Sequence, residues 1–414
     1  VCVPHGLGRV LRRGGGSVRS ASSRARALSD DEKYLRLSRE RVAELLDHEI
    51  THFSLQEPRQ LSLQWILGRK TEVLAEFLHK ELPVLYASRI KLLESLHGWD
   101  ESEQLVAIRR EYSESFKALR LVEFEDTTRF LRVLVELKKR HKDVVKRMVT
   151  GVRAIQASDT GYGREAIDEF LNRFFHLRIG TELLTSQYIS KTVDVERGGD
   201  GIITPHLDIA DCTRATVATA IELCRRTYGV APEVKVITPT GDVRIPFIRR
   251  YFQYIVLELA KNALRATVEC HGASGDMPPI KIVISGDGTL VGIKVIDRGG
   301  GISTDNLDMV WSYLFTTATP ATQKDVLGQS EGSGRLAGFG VGLPLSYLYA
   351  SYLGGSMHLS VMPKYGTDAV VHLNAIGDGT QASADKHYGL STPTLPEFRR
   401  NPNWWMYSSP YTPI

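Results

Sequence analysis

Apolar positions in the first half of the chain recur every three or four residues, the spacing that puts side chains on one face of an α-helix. The pattern covers residues 70–96 and 164–190. Its clearest stripe consists of Phe130, Val133, Leu137, His141, Val144, Met148, Val152 and Ile155. This stripe predicts one long helix. Because the breaks between helical stretches are short, residues 29–192 are predicted to form an antiparallel, four-helix-type bundle.

The pattern changes at a glycine-rich stretch, residues 193–204, which lacks helical periodicity and marks the predicted domain junction. Two pairs of β-type runs follow, at residues 280–285 with 290–296 and 356–362 with 367–374. Helical patterns alternate with them at residues 211–227, 247–269 and 344–353. Short turns that contain glycine separate the paired runs, which predicts two hairpins. Residues 205–376 are therefore predicted to form an α/β layer.

Length and composition indicate a folded protein. A chain of 414 residues favours two domains, and 42% hydrophobic with 24% charged residues exclude a fibrous or disordered protein. Charged residues interrupt every long apolar run, so no transmembrane segment is expected. The four cysteines show neither C-x-x-C pairs nor the spacing of a zinc site, which fits a reducing compartment.

The charge of the chain is concentrated at its beginning. Residues 1–28 contain six arginines, several serines and no acidic residue, whereas the whole chain has a net charge of only +4, so the remainder is slightly acidic. This composition predicts a transit-like leader and a location in the mitochondrial matrix. The alternative is a basic tail that binds RNA or acidic lipid. The nearly neutral body gives no reason to expect a nucleic-acid partner.

The first segment whose side chains could take part in catalysis or binding is the helical run from Glu258 to Thr267. Glu258, Asn262 and Arg265 are four and three residues apart, so one helical face carries a carboxylate, an amide and a guanidinium. These groups suit proton transfer, metal binding and phosphate binding. Taken alone, the same spacing is more typical of a solvated helix face.

Two glycine-rich segments follow. Asp297 comes directly after a predicted strand and precedes three glycines, an arrangement that suits a flat base bearing an amino group, although an ordinary turn has the same pattern. Residues 338–344 (GFGVGLP) open a helix, where free backbone N–H groups and the helix dipole favour phosphate. Neither the P-loop nor the H-R-D and D-F-G elements of ordinary protein kinases occur.

The order of these motifs resembles the GHKL ATPase superfamily, which includes gyrase-type topoisomerases, heat-shock chaperones and sensor histidine kinases. The resemblance implies a GHKL (Bergerat) α/β sandwich that binds ATP and Mg²⁺. Asn262 would hold the metal and Asp297 the adenine amino group, with a mobile lid at about residues 319–335. The remaining motif residues expected in the ATP site, most of them around the phosphates, are Gly299, Gly301, Gly338, Phe339, Gly340, Val341, Gly342, Leu343 and Thr367.

A closer resemblance spans about residues 40–376. It is carried by the segments HKELP (79–83), HKDVV (141–145), RIG (178–180), KNALRA (261–266), DRGGGI (297–302), FTTA (315–318) and AGFGVGLP (337–344). These segments resemble the mitochondrial α-keto acid dehydrogenase kinases. The resemblance implies a serine kinase, of the pyruvate dehydrogenase (acetyl-transferring) type or the branched-chain type, that inactivates the decarboxylase subunit. It also implies a homodimer whose helical domain docks on the lipoyl domain of the complex core.

The resemblance also assigns roles to residues. Glu258 would be the general base toward the substrate serine, and Arg265, Thr316 and Thr317 would contact nucleotide. Pyruvate-type kinases often carry histidine one turn before this glutamate, whereas this chain has Tyr254, as branched-chain kinases do. The sequence Thr-Thr-Ala at residues 316–318 favours the branched-chain type as well.

The C-terminal tail, residues 377–414, favours the pyruvate type. Its Trp404 and Trp405 are similar to the Asp-Trp docking motif of pyruvate dehydrogenase kinases, although Asn403 replaces the acid. On balance we expect pyruvate dehydrogenase as substrate.

Two other functions remain open at this point. A histidine kinase would use His141 as phosphoacceptor, although a histidine on an apolar stripe is more often buried and hydrogen-bonded. An ATP-driven clamp would couple hydrolysis to a conformational change and would need no protein substrate.

Overall fold

The computed structural model describes residues 2–4, 34–36, 39–57, 66, 68–158, 162–193, 201–272, 276–317 and 340–376. Most of the predicted leader, the predicted lid at 319–335 and the C-terminal tail at 377–414 lie outside these residues. Two short strands, β1 (Cys2–Pro4) and β2 (Tyr34–Arg36), pair antiparallel ahead of the first helix. Among the described residues, no helix is both long and apolar enough to cross a membrane.

The first half of the chain is helical, as the apolar periodicity predicts. Its helices are α1 (Arg39–Ser54), α2 (Thr71–Glu94), α3 (Glu103–Leu121), α4 (Thr127–Arg140), α5 (Val144–Ala157) and α6 (Arg164–Val193). Helix α2 packs on α1, α3 and α6, and α3 packs on α5. The aromatic side chains of Tyr112, Phe116, Phe130 and Phe174 are fully buried between them. Burial of these large rings, together with the leucine, isoleucine and valine side chains around them, stabilises the bundle.

The predicted long helix over residues 130–155 is instead two helices. Helix α4 ends with His141 as its C-cap, and α5 begins after Asp143. The backbone tightens between them, because Lys142 N–H bonds to Lys139 O and Val144 N–H to His141 O. The basic last turn of α4 favours a helix end there. Since the three-residue turn leaves the apolar stripe in phase, periodicity could not reveal it.

The second half is an α/β layer. A five-stranded sheet has the order β4 (Val234–Ile237), β6 (Ile280–Gly286), β7 (Leu290–Ile296), β9 (Gly366–Asn374) and β8 (Ser356–Met362). Both predicted hairpins are confirmed, with Ile284 opposite Ile293 and Leu359 opposite Ala369. Strand β4 pairs parallel with β6. Three helices pack on the sheet, namely α7 (Ile209–Tyr228), α8 (Arg249–His271) and α9 (Gly342–Tyr352).

A separate two-stranded ribbon escaped the prediction. Strands β3 (Thr204–Asp208) and β5 (Arg244–Phe247) pair antiparallel beside α7. Each strand contains a proline, Pro205 in β3 and Pro246 in β5, and proline within a run argues against a strand in the sequence. A two-stranded ribbon outside the main sheet tolerates proline, because few backbone N–H groups of the ribbon are needed for strand pairing.

Candidate active site

Helix α8 supplies the central face of the site. Its apolar residues Ile255 and Leu259 are buried toward the core, which turns the face with Glu258, Asn262 and Arg265 toward the loops that follow β7 and precede α9. Asn262 is exposed, whereas the Glu258 side chain keeps only 14% of its surface. The three predicted residues therefore share one helical face, with Glu258 at its buried end.

Glu258 has two close neighbours. Lys261 Nζ lies 2.8 Å from Glu258 Oε1, and the Lys261 side chain is only 8% exposed. Glu258 Oε2 lies against Gly342, so close that a Cβ at residue 342 would overlap it. Gly342 is the first residue of α9, where the helix dipole is positive. The carboxylate is thus held between an ammonium group and a helix N-terminus.

Asp297 follows β7 and is buried. Its Oδ1 accepts hydrogen bonds from the backbone N–H groups of Gly299 at 2.9 Å and Thr367 at 3.2 Å. Burial raises the pKa of Asp297, and these two N–H groups partly oppose the shift. Both of these bonds reach Oδ1, so Oδ2 can accept from an amino group of a ligand.

The glycines after Asp297 allow close packing. A Cβ at Gly299 would lie 2.5 Å from the Ala266 Cβ of α8, so glycine brings the loop against that helix. Gly301 has φ +72°, and a Cβ there would overlap the Met362 carbonyl oxygen. Only glycine fits both positions without a shift of the backbone.

The remaining part of the site combines residues 312–317 with the start of α9. Arg265 Nη2 donates to Thr317 Oγ1 at 3.2 Å. Gly340 has φ +75°, and a Cβ at this residue would lie 2.5 Å from the Phe315 carbonyl oxygen. Thr316 and Thr317 therefore lie beside the N-terminus of α9, next to the α8 face.

Most predicted site residues thus come together in one cleft. These are Glu258, Asn262, Arg265, Asp297, Gly299, Gly301, Thr316, Thr317, Gly340, Val341, Gly342, Leu343 and Thr367. Gly338, Phe339, Trp404 and Trp405 lie outside the described residues. Tyr254, one turn before Glu258, packs its ring 5.0 Å from that of Tyr349 in α9.

His141 lies away from this cleft, in the helical bundle. It is buried, with Nδ1 3.3 Å from Tyr86 Oη and Nε2 2.9 Å from Ser115 Oγ. Burial lowers its pKa well below the usual range, and the nearby Arg89 and Arg178 lower it further. This is the buried, hydrogen-bonded histidine that was the alternative to a phosphoacceptor.

Sequence reasoning missed Lys261 as a site residue. It lies within the KNALRA segment, three residues after Glu258, and that spacing places the two side chains side by side on a helix. The signal was therefore available. Burial of Lys261 has no sequence signal, since a lysine on a helix is usually exposed.

The residues around Asn262 are suited to magnesium bound together with a phosphorylated ligand. Among the described residues, no group of three or more His, Cys, Asp or Glu side chains could hold a metal by itself. Asn262 offers one exposed carbonyl oxygen. Mg²⁺ characteristically takes one or two protein oxygens and completes its shell with phosphate oxygens and water, so this donor set fits it.

Comparisons with known proteins agree with this geometry. A family model for "Mitochondrial branched-chain alpha-ketoacid dehydrogenase kinase" matches residues 56–202, and one for "Histidine kinase-, DNA gyrase B-, and HSP90-like ATPase" matches residues 248–376. A mitochondrial pyruvate dehydrogenase (acetyl-transferring) kinase of Arabidopsis thaliana is 33% identical over 323 residues, covering 76% of this chain and 87% of the relative. The chain belongs to the mitochondrial α-keto acid dehydrogenase kinase family.

Two further relatives show how far the similarity extends. The mitochondrial pyruvate dehydrogenase kinase of Ascaris suum is 33% identical, covering 79% of this chain and 86% of the relative. Isozyme 4 of Homo sapiens is 31% identical, covering 84% of this chain and 91% of the relative. The predicted family and the predicted fold, a helical region followed by a GHKL-type ATP domain, are confirmed. As a member of this family the chain is a protein kinase.

Proposed function

We propose that this member of the family phosphorylates serine on the decarboxylase subunit of the pyruvate dehydrogenase complex, using Mg-ATP, and thereby inactivates it. The observation that carries the proposal is the position of Glu258, held by Lys261 and facing the N-terminus of α9. A carboxylate at that place can receive the proton of a hydroxyl that attacks a phosphoryl group bound at the helix end.

The nucleotide would be held by the residues around Glu258. Asp297 Oδ2 would accept the adenine amino group, and Arg265 with Thr317 would contact the nucleotide. The backbone N–H groups at Gly340 and Gly342 would face the phosphates, where the helix dipole favours negative charge. Asn262 would hold Mg²⁺, which offsets the charge of the phosphate oxygens when bound.

The transfer itself then follows from these positions. The serine oxygen attacks the γ-phosphorus, its proton passes to the Glu258 carboxylate, and the bond to the β-phosphate oxygen breaks to leave ADP. Lys261 keeps one carboxylate oxygen fixed by its 2.8 Å ion pair, which orients the other toward the site. Positioning and charge compensation account for most of the catalysis in such transfers.

Branched-chain α-keto acid dehydrogenase is the second candidate substrate. The family model that matches residues 56–202 is named for the branched-chain kinase. Tyr254 and the sequence Thr316-Thr317-Ala318 favour the branched-chain substrate as well. The relatives that match most of the chain are instead named for pyruvate dehydrogenase. Because these matches span both halves of the chain, we prefer pyruvate dehydrogenase.

The test is label transfer from radioactive ATP to the pyruvate and branched-chain complexes side by side, each with its lipoyl-bearing core. We expect acid-stable label on the decarboxylase subunit of the pyruvate complex. Glu258→Gln should bind ATP and transfer nothing, with Glu222→Gln on the exposed face of α7 as the control. Label on the branched-chain subunit alone would move the proposal to the second substrate.

The same assay addresses the other two functions. An acid-labile phosphoenzyme would indicate a histidine kinase, although buried and doubly hydrogen-bonded His141 offers no free nitrogen to a phosphate. ATP hydrolysis with label on no protein would indicate a clamp.

We further propose the setting of the enzyme. The mitochondrial names of the relatives agree with the Arg-rich leader, and the matrix is where the substrate complex would be met. Residues 29–192 would dimerise and dock on the lipoyl domain, residues 205–376 would form the kinase domain, and the tail with Trp404 and Trp405 would assist docking. Light scattering and lipoyl-domain pull-down of the full chain test these assignments.

A further inference from the structure

The connection between the bundle and the nucleotide site runs through residues 311–317, which we term the anchored segment. It follows the 3₁₀ turn Thr304–Met309 and ends at Thr317, which contacts Arg265. Trp311 and Tyr313 in it are 5% and 2% exposed. A loop this deeply buried needs partners for its polar groups, and the bundle provides them.

Two residues of helix α6 bind Tyr313. Asp168 Oδ1 accepts the Tyr313 backbone N–H at 2.7 Å, and Asn172 Oδ1 accepts the Tyr313 hydroxyl at 3.2 Å. The Ser312 hydroxyl donates to the Tyr313 carbonyl oxygen at 3.2 Å, and burial raises the pKa of Asp168. Asp168 and Asn172 are one helical turn apart, so a single face of α6 holds both the backbone and the side chain of Tyr313.

A third residue reaches the anchored segment from helix α5. Arg153 Nη2 donates to the Leu314 carbonyl oxygen at 3.2 Å, and partial burial lowers the pKa of this arginine. Leu314 has φ +68°, a left-handed conformation that a leucine rarely adopts. The hydrogen bond holds the carbonyl of the residue whose backbone is strained.

The strained residue is adjacent to both sides of the nucleotide site. Gly340, just before α9, is so close to Leu314 and Phe315 that a Cβ there would lie 2.7 Å from Leu314 C. Three residues after Leu314, Thr317 meets Arg265 on α8. A change of the Leu314 backbone would therefore move Gly340 on one side and Thr317 on the other.

We infer that Arg153, Asp168 and Asn172 are positioning residues for the nucleotide site, which act from the helical bundle by fixing the backbone of residues 312–315. The inference rests on the proposed function only in taking this cleft as the ATP site. The three residues lie on α5 and α6 of the bundle rather than on α8. They set the place at which Thr317 and Gly340 meet the nucleotide, so the bundle determines nucleotide affinity.

Nucleotide binding to the full-length protein tests this inference without any protein substrate. ADP affinity is measured by titration calorimetry for Asp168→Ala and Arg153→Met. Each change removes a hydrogen bond that involves a charged group, and we expect the ADP Kd to rise about tenfold. At saturating ATP the kcat for phosphorylation should stay within about twofold, since Glu258 is untouched and the loss is in binding.

Matched variants separate positioning from general loss of stability. Glu169→Ala and Arg132→Met change exposed residues of α6 and α4 and should leave ADP binding unchanged. Asp168→Asn retains an acceptor for Tyr313 N–H and should restore affinity to within about threefold of the wild type. If Asp168→Ala fails to fold, Tyr313→Phe is used instead. It removes only the hydroxyl that donates a hydrogen bond to Asn172, and it should still weaken ADP binding measurably.

Two results would overturn the inference. The first is wild-type ADP affinity in both single variants, Arg153→Met and Asp168→Ala. If Asp168→Ala does not fold, Tyr313→Phe takes its place in this comparison. The second is an equal loss of affinity in the Glu169 and Arg132 controls. Absence of label transfer from the wild type would instead refute the proposed function and leave the binding comparison intact.

Discussion

Replacing Gly342 by alanine should impair catalysis without unfolding the protein. A Cβ at residue 342 would overlap Glu258 Oε2 and lie 3.1 Å from Glu258 Cδ. Ordinary contact distances for such atoms are about 3.5 Å, so the carboxylate must move by about 1 Å. Gly342 is not among the glycines with positive φ, and alanine at a helix start is favourable by up to about 1 kcal/mol. The cost therefore falls on the position of Glu258.

A displacement of about 1 Å in a reacting group can reduce the rate about 10²-fold, equivalent to about 2.7 kcal/mol in the activation free energy. We expect this loss in kcat for label transfer at saturating ATP, with the thermal unfolding midpoint unchanged or raised. Gly163→Ala is the control, because nothing lies within 4 Å of a Cβ there. A Gly342→Ala variant with kcat within about twofold of the wild type would refute the role given to Glu258. Equal losses in kcat and ADP affinity would assign the clash to the nucleotide instead.

Three further predictions concern nucleotide binding, packing and pH. Asp297→Asn should weaken ADP binding about 30-fold, because an NH₂ donor can replace the oxygen acceptor that faces adenine. The unfolding midpoint measured by calorimetry should stay near that of the wild type. Gly151→Ala should destabilise the bundle by about 1 kcal/mol in urea unfolding, since its Cβ would lie 2.6 Å from Leu105 Cγ; a gain in stability would contradict this. The pKa of His141 is lowered in the folded protein, so only the unfolded chain takes up its proton near pH 6.5. The unfolding free energy should fall by up to about 1.4 kcal/mol per pH unit below that value, and His141→Gln should flatten the slope.

The elements that could be predicted are those with long and regular patterns. The helices at residues 71–94 and 164–193 carry enough apolar repeats to exclude a strand, and both hairpins have short turns with glycine between β-type runs. The ribbon of β3 and β5 could not be predicted, because Pro205 and Pro246 are tolerated only by its position outside the main sheet.

The same distinction applies to the candidate site. Glu258, Asn262 and Arg265 could be grouped from the sequence because helix geometry alone brings them together. The contact between Arg153 and Leu314 joins residues 161 positions apart, and no local spacing indicates it. The left-handed conformation of Leu314 has no sequence signal either, since leucine is not a residue that favours it.

The glycines of the motifs have a structural role that precedes any contact with ATP. Gly299 admits Ala266 of α8, Gly342 admits the Glu258 carboxylate, and Gly366 admits the Asp297 carbonyl oxygen. Each lets one element of the cleft approach another more closely than a Cβ allows. A substitution at any of them therefore moves Asp297 or α8 before it touches a phosphate. Loss of ATP binding in such a variant is consequently no proof of direct contact, and the Gly342→Ala comparison of kcat with ADP affinity is needed to tell the two effects apart.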